Sequence, residues 1–488
     1  MYGDAGGHGM HTVTTAVASS NPRNRELLLL IAALLVSVAC LVTIDISVKS
    51  AIEPLTVKVS ATITAAALAG HLLVRWRARN ADPVLLPCAL LLTGLGTAVI
   101  HRLDLAAQMR ALSRLEPVPS AKAGAQATWL LVGIAAMAVT LLLVRDHRRL
   151  QRYPWTLTLL GLVLVLLPLT PGLGRTIRGA TLWVSIAGLS FQPAEVAKVV
   201  LVVGFASYLA RHGRALGALR ARMFGIPFPR PRDLGPLLLV WVMSLGVLIL
   251  QRDLGTSLLF FGMFVVLLYV ATEQRSWPLI GLAMFSAGAV IAWQMFAHVQ
   301  IRVALWLNPW IGDGTSQVAL GLYGLANGGL FGAGLGSGYP QLVPFAESDF
   351  IFTSLGEELG LVGCIAILLI YAVVVARGLK VAATVRDRFG LLLATGFATV
   401  LALQTFVVLG GVTRLIPLTG LTTPFMSAGG SSLVANFIMV ALLLRMSHAA
   451  RTPANTAPAP AFSAVTAPRH NVDQPTQVLQ LPTGSEKS

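Results

Sequence analysis

Apolar runs long enough to cross a bilayer recur along almost the whole chain, and no other feature narrows its fold so far. A hydrocarbon core about 30 Å thick takes about 20 residues of helix. Runs near or approaching that length stand at 27–46, 55–74, 84–100, 126–144, 155–170, 194–210, 235–250, 256–271, 277–296, 352–376, 390–410 and 431–446. Lipid offers no partner to a backbone N–H or C=O, so such runs are predicted to be helices. The expected fold is an all-α polytopic membrane protein with about 12 transmembrane helices. Charged residues make up only 11% of the 488, against about 25% in a soluble domain. That balance argues against a cytosolic enzyme and a nucleic-acid binder alike. The first run is too long for the apolar part of a cleaved signal, and its end, Ile46-Ser47-Val48, lacks a small-x-small site. Cys40, Cys88 and Cys364 fall inside apolar runs and imply no disulfide framework.

The net charge of +16 follows topology. With the N-terminus inside, 24 of the 36 Lys and Arg fall on the cytoplasmic side, Arg445 at the inner end of the last run counted with them, and 10 in outer segments, as the positive-inside rule requires. Dense basic runs occur at Arg75, Arg77 and Arg79, at Arg145, Arg148, Arg149 and Arg152, and from Arg211 to Arg232. The chain divides into a cytoplasmic segment 1–26, N-terminal transmembrane helices 27–150, a core 151–448 and a tail 449–488. The tail is rich in Ala, Pro and Thr and is expected to be disordered and cytoplasmic. Segment 297–350, on the outer side, alternates glycine with Leu, Phe and Tyr. That pattern suits a structured, membrane-apposed loop rather than a solvated linker.

In so apolar a chain, ionisable groups at membrane depth are functional candidates by default, because a buried charge is costly unless paired or hydrated. Four clusters stand out. In FQPAEVAK, residues 191–198, Glu195 and Lys198 are three apart and share one helix face. They are either a structural ion pair or part of a substrate site. In QRDLGTS, residues 251–257, Asp253 reads best as the cap of a re-entrant helix start. In ESDFIFTSLGEELG, residues 347–360, Asp349 stands at the interface, where a carboxylate stays ionised and can reach a lipid head group; capping the next helix is the alternative. Glu357 and Glu358 are adjacent, about 100° apart on a helix, so at most one faces the cavity of Asp349. The fourth cluster, RLIPLTGLTTPFMSAGGSS, residues 414–432, is an outer loop whose amides form either an anion-binding concavity or a plain entry to the last helix. All four lie on one side of the membrane. A transporter places such groups near the midplane, whereas this arrangement suits chemistry on a lipid-linked head group.

These segments resemble the SEDS family of shape, elongation, division and sporulation proteins. The likeness spans roughly residues 155–446 through RGATLWVSIAGLSFQPAEVAK, QRDLGTSLLFFG, LNPW with the glycine-rich loop, ESDFIFTSLGEELGLVG and PLTGLTTPFMSAGGSS, in the family's order. The earlier stretches NPRNRELLLL and DPVLLPCALLLTGLGTAVIHRLD look like the extended RodA-type members of actinobacteria. The resemblance implies a ten-helix core preceded by two extra helices. The chain departs from the family's usual residues at Leu182, Ala194, Arg252, Val408 and Ala428.

What the resemblance implies is a peptidoglycan glycosyltransferase that polymerises lipid II, the undecaprenyl-pyrophosphate-linked disaccharide-pentapeptide, outside the cytoplasmic membrane during elongation and shape maintenance. The family's essential acid carries over to Asp349, and its cavity supports to Trp183, Glu195 and Lys198. Joining a sugar hydroxyl to an anomeric carbon needs a base, and the departing pyrophosphate needs positive charge. Asp349 is the expected base, Lys198, Arg302 and Arg252 are the expected phosphate contacts, and Glu358 is a further substrate-binding candidate. A divalent cation, Mg or Mn, is a candidate cofactor, although no ligand spacing specifies one. The expected partner is a class B penicillin-binding transpeptidase, for which the outer loops and the lipid-facing spans of the first half offer apolar surface. The chain is expected in the cell membrane, multi-pass, with both termini cytoplasmic. A lipid II flippase and a non-catalytic scaffold are the competing readings. Outer-face clustering of acids favours the enzyme over the flippase, and Asp349 within a full motif favours it over the scaffold.

Overall fold

The apolar runs become helices whose starts the sequence marks by proline. Helices α1 (Pro22–Lys49), α2 (Pro54–Arg77), α5 (Pro154–Leu166) and α6 (Pro193–Gly217) each open on one. The first turn has no use for the missing N–H, and the fixed φ is already helical. Between them lie α3 (Leu85–Ser113) and α4 (Lys122–Leu143). There follow α7 (Gly235–Gln251), α8 (Leu254–Thr272), α9 (Ser276–Met295), α10 (Ala297–Leu307) and α11 (Gln317–Gly328). The last three are α12 (Ile351–Thr384), α13 (Arg388–Val412) and α14 (Gly430–Arg451). The computed structural model describes residues 21–177, 180–186, 189–217, 221–223, 226–228, 235–311 and 314–452. The segment 1–20 and most of the tail 449–488 lie outside them.

Among the described residues, 10 helices are long and apolar enough to cross a membrane, and the apolar stretch Pro154–Leu169 is shorter. Every expected run coincides with a helix. The outer segment 297–350 contains α10 and α11, both amphipathic in position and too short to span. The segment before α6 amends the all-helical picture. Strands β1 (Gly174–Ile177), β2 (Ala180–Ile186) and β3 (Leu189–Phe191) form an antiparallel meander, with Arg175 opposite Trp183 and Val184 opposite Phe191. The run Thr181-Leu182-Trp183-Val184-Ser185-Ile186 is rich in β-branched and aromatic residues. A second hairpin, β4 (Ala221–Met223) with β5 (Ile226–Phe228), lies in the basic connection between α6 and α7.

Helix α3 is central: 89% of its apolar window is buried, against 28% for α1. Its interior side carries polar groups, with Thr93, Thr97, His101, Arg102 and Asp104 all buried. Contacts at the two ends of the bundle separate its faces. At one end Arg451 pairs with Asp82 at 2.7 Å, and the Asn80 N–H donates to His448 Nδ1 at 3.2 Å. At the same end His147 Nε2 lies 3.0 Å from Asp387. The other end holds α10, α11, the meander and residues 339–349 and 413–429.

Helix α12 is broken at that second end. Gly360 has φ 68° and ψ −169°, a conformation open essentially to glycine alone, and it splits α12 into a short arm and a long span. The freed backbone groups are met by the glycine-rich segment that crosses the break. Ala333 N–H donates to Glu357 O at 2.9 Å and Gly334 N–H to Glu358 O at 3.1 Å, while Gly329 O accepts from Leu361 N–H at 2.9 Å. Irregular backbone is tolerated here because protein, not lipid, surrounds it. This explains the glycines of that loop: its backbone replaces a missing turn of helix.

Candidate active site

Asp349 lies in the turn that closes the long outer loop. The N-cap position of α12 is Phe350, so Asp349 stands one residue outside the helix, and the capping alternative loses its position. The main chain before it is pinned from far along the sequence. Ala428 N–H donates to Glu347 O at 2.8 Å, and the Ser427 hydroxyl donates to Ser348 O at 2.6 Å. Loop 413–429 therefore sets where the half-buried Asp349 stands.

Arg302 of α10 meets Asp349 across Gly420. A Cβ built on Gly420 would sit 3.7 Å from Asp349 Oδ2 and 3.7 Å from Arg302 Nη2, so acid and guanidinium flank one point in space. Gly420 also has φ 82°, the left-handed region that favours glycine, although a Cβ there would meet only ordinary van der Waals contact. Arg302 Nη1 donates to Leu418 O at 3.0 Å and Thr419 O at 2.7 Å. Burial pulls the Arg302 pKa below the usual arginine value, while Asp253 and Asp349 act in the opposite sense. Asp253 has the capping role expected of it: its carboxylate accepts from Thr256 N–H at 3.0 Å and from the Thr256 hydroxyl at 2.5 Å. Arg252 next to it is exposed with φ 57°.

His298, at the start of α10, is a member of this group that sequence reasoning missed. Burial, then the charges of Arg302 and Arg252, lower its pKa, which keeps the imidazole neutral at pH 7. Its Nε2 has no hydrogen-bond partner among the described residues. A lone histidine in a loop helix belongs to no motif, and only its neighbours give it interest. From this polar group an apolar groove of about 380 Å³ runs between α7, α8, α9 and α10. Trp241, Leu258, Phe261, Phe285, Val303 and Phe406 line it, together with Arg302 and Thr419.

Two expected phosphate or substrate contacts are corrected by their surroundings. Lys198 is 2% exposed, and its ammonium lies 2.5 Å from Glu195 and 2.9 Å from Gln404 Oε1. Gln404 Nε2 donates to Thr422 O at 2.9 Å, and the Thr422 hydroxyl donates back to Glu195 at 3.4 Å. The four side chains and backbone groups close a ring beneath loop 413–429, so Lys198 holds the loop that carries Gly420 and is not presented to a phosphate. Glu358 is equally enclosed. It is 1% exposed and paired with Arg102 of α3 at 3.1 Å, whose Nη2 also donates to Gly338 O at 2.7 Å. Its neighbour Glu357 accepts from Asn327 Nδ2 at 3.0 Å and Tyr339 N–H at 2.8 Å. Both glutamates thus anchor the glycine-rich loop. Trp183 sits half-buried on β2, opposite Arg175.

Among the described residues no three His, Cys, Asp or Glu side chains gather as a metal site. The donor set beside Arg302 is carboxylate oxygen, which suits a hard divalent cation, and the Arg302 guanidinium lies within electrostatic reach of both Asp253 and Asp349.

The family model describing the cell cycle proteins FtsW, RodA and SpoVE matches residues 83–452, three quarters of the chain. The chain belongs to this family. The matched stretch takes in α3 and α4 and leaves α1 and α2 outside. The peptidoglycan glycosyltransferase RodA of Mycobacterium tuberculosis is 46% identical over 440 residues, 89% of this chain and 92% of that protein. The Mycobacterium leprae protein of the same description is 42% identical over 448 residues, 91% of this chain and 95% of its own. Among solved structures, a chain from a peptidoglycan synthase complex that coordinates polymerization and crosslinking superposes with a TM-score of 0.56 at 26% identity, covering 76% of this chain and 99% of that one. The rod shape determining protein RodA of Thermus thermophilus gives 0.51 at 25% identity, with 77% and 99% covered.

Proposed function

We propose that the chain is a peptidoglycan glycosyltransferase of the RodA type, which polymerises lipid II at the outer membrane face during cell elongation. The observation that carries this reading is the convergence of Asp349 and Arg302 on Gly420, at the mouth of an apolar groove. The identity to mycobacterial proteins described as peptidoglycan glycosyltransferases supports it. In the reaction, Asp349 takes the proton of the acceptor's 4-hydroxyl as its oxygen bonds to the donor's anomeric carbon. The bond from that carbon to the pyrophosphate oxygen breaks, and undecaprenyl pyrophosphate leaves with the electron pair. Arg302 faces the phosphates, and Arg252 at the rim adds positive charge. The groove takes the first isoprene units of a polyprenyl tail. Lys198, Glu195 and Gln404 position the loop from below, while Arg102 and Glu358 hold the glycine-rich segment. Asp349 is the carboxylate that would hold a Mg²⁺ or Mn²⁺, and such an ion would supply positive charge to the leaving group.

Arg302→Gln is expected to lower kcat/KM for lipid II by about ten- to a hundredfold, the size of a lost charge-assisted hydrogen bond. Polymerisation by detergent-purified protein measures it, and an unchanged value would take Arg302 out of the phosphate site. A flippase needs a route through to the opposite face, whereas Asp349, Arg302, His298 and Arg252 of the candidate site gather at one end.

Orientation follows from the basic asymmetry. A reporter fused after residue 450 is expected to read as cytoplasmic, and one inserted at the fully exposed Leu115 as external. The reverse pattern would put Asp349 on the wrong side for lipid II polymerisation. For the partner, a class B transpeptidase with one membrane span, a concave apolar surface in the second half of the chain is a candidate seat beside the exposed apolar side chains of the first half, such as Leu35, Leu68 and Val139. A groove of about 530 Å³ between α12 and α13 is lined by Leu368, Tyr371, Val375, Leu379, Phe406 and Leu409. Copurification with the transpeptidase in mild detergent is expected, and Val375→Trp is expected to weaken it; recovery of each protein alone would favour independent action.

A further inference from the structure

At the end of the bundle opposite Asp349, a pocket of about 210 Å³ is lined by Asn21, Pro22, Arg23, Arg75, Arg79 and Asn80. It forms where α1 begins and α2 ends, outside the region matched by the family. Positive charge converges on it in excess. Arg23 lies within electrostatic reach of Arg75 and Arg451, and His448 within reach of Arg23, Arg79 and Arg445. The acids nearby are already engaged. Glu26 pairs with Arg23 and, at 2.8 Å, with His71, and Asp82 pairs with Arg451 at 2.7 Å and Arg377 at 3.6 Å. Arg75 and Arg79 have no carboxylate partner among the described residues.

The back of the pocket is built rather than accidental. Arg23 is 2% exposed, its guanidinium is fixed by Glu26 and by the Ala81 carbonyl, and its Nε–H has no acceptor among the described residues. The first-turn amides of Arg23, Asn24 and Arg25 are already met by Asn21, so the positive charge of the pocket is that of its arginines, and no acidic residue occupies that turn. Beside the charge lies apolar surface. Leu72, Arg75 and Trp76 share one face of α2, and Leu72 and Trp76 are 63% and 70% exposed. A phosphate in the pocket would therefore find an acyl-chain track running down α2.

We propose that this pocket binds the phosphate of an anionic phospholipid from the leaflet on that side, with its acyl chains along Leu72 and Trp76. Such a lipid relieves the crowding of arginines and ties the start of α1 to the turn after α2 and the end of α14. Free phosphate shares the head-group chemistry but gains nothing from the apolar track.

The full chain, purified in a neutral detergent, would be titrated with phosphatidylglycerol, phosphatidylcholine or inorganic phosphate. Native mass spectrometry would count retained lipid, and thermal unfolding would report stabilisation. Arg75→Gln with Arg79→Gln removes two exposed charges from the pocket, and Arg149→Gln with Arg152→Gln makes the same change in net charge elsewhere. The pocket variant is expected to bind phosphatidylglycerol about tenfold more weakly or worse, and the control variant to stay within about twofold of the wild type. Leu72→Ala with Trp76→Ala is expected to weaken phosphatidylglycerol binding and leave phosphate binding unchanged. Equal losses in the two arginine variants, no preference for phosphatidylglycerol over phosphatidylcholine, or full stabilisation by phosphate alone would each overturn the proposal. The readout is lipid binding, so it stands or falls separately from glycosyltransferase activity.

Discussion

Asp349→Asn is expected to reduce lipid II polymerisation by about two or more orders of magnitude, the usual contribution of a general base, while the protein keeps its fold. The substitution preserves size and removes only the charge. The bonds that place residue 349 run through the main chain of Glu347 and Ser348 to Ala428 and Ser427, so they survive the change. Lipid II in detergent is the substrate to use, because no bilayer separates it from the site and flipping cannot limit the rate. Polymer from the wild type and almost none from the variant supports the enzyme. Equal polymer from both would remove Asp349 from the mechanism. No polymer from intact wild-type protein supplied with the proposed transpeptidase partner would turn the reading toward a transporter.

The largest effect on stability is expected from a residue with no chemistry of its own. A Cβ on Gly360 would lie 2.3 Å from Gly332 N and 2.6 Å from Leu330 O, both backbone atoms, and φ there is 68°. Strain and overpacking together place the cost of Gly360→Ala at about 3 kcal/mol or more. The crossing segment cannot shift cheaply, because its amides complete the broken helix. Gly246→Ala in α7 is the control: a Cβ there meets nothing within 4 Å, and helix propensity favours alanine by about 1 kcal/mol. Thermal unfolding in detergent is expected to show a fall of several degrees for Gly360→Ala and none for Gly246→Ala, with loss of polymerisation confined to the first. A Gly360→Ala protein as stable as the wild type would mean that the break in α12 is not required.

The parts of the site legible in the sequence were those carried by local motifs. Asp349 could be singled out because an acid stands at the edge of an apolar run, and Asp253 because Asp-x-x-Thr before such a run is a helix cap. Lys198 and Glu358 were visible as unusual charges, but their partners were not. Gln404 is 206 positions from Lys198, and Arg102 is 256 positions from Glu358. A charge with a hidden partner looks like a ligand contact until the partner is found. His298, Gly420 and the break at Gly360 left no local signal, since each owes its importance to a segment elsewhere in the chain.

The sequence by itself determined which segments are apolar helices, ten of them among the described residues long enough to cross a membrane. Backbone polar groups must be satisfied within lipid, and apolarity over about 20 residues leaves the helix as the solution. It could not decide how those helices are arranged, because lipid is as apolar as a protein core and hydropathy does not distinguish them. Helix α1 has a mean hydropathy of 3.0 with 28% of its window buried, while α3 has 1.4 with 89% buried. The less apolar helix is the central one. Only tertiary structure supplies partners for its polar groups: Asp45 for His101 at 2.7 Å, and Glu358 and the Gly338 carbonyl for Arg102. The same holds for the candidate site. Asp349, Arg302 and Gly420 are scattered through the sequence and meet because hydrogen bonds between loop 413–429 and residues 347–348 bring them to one point.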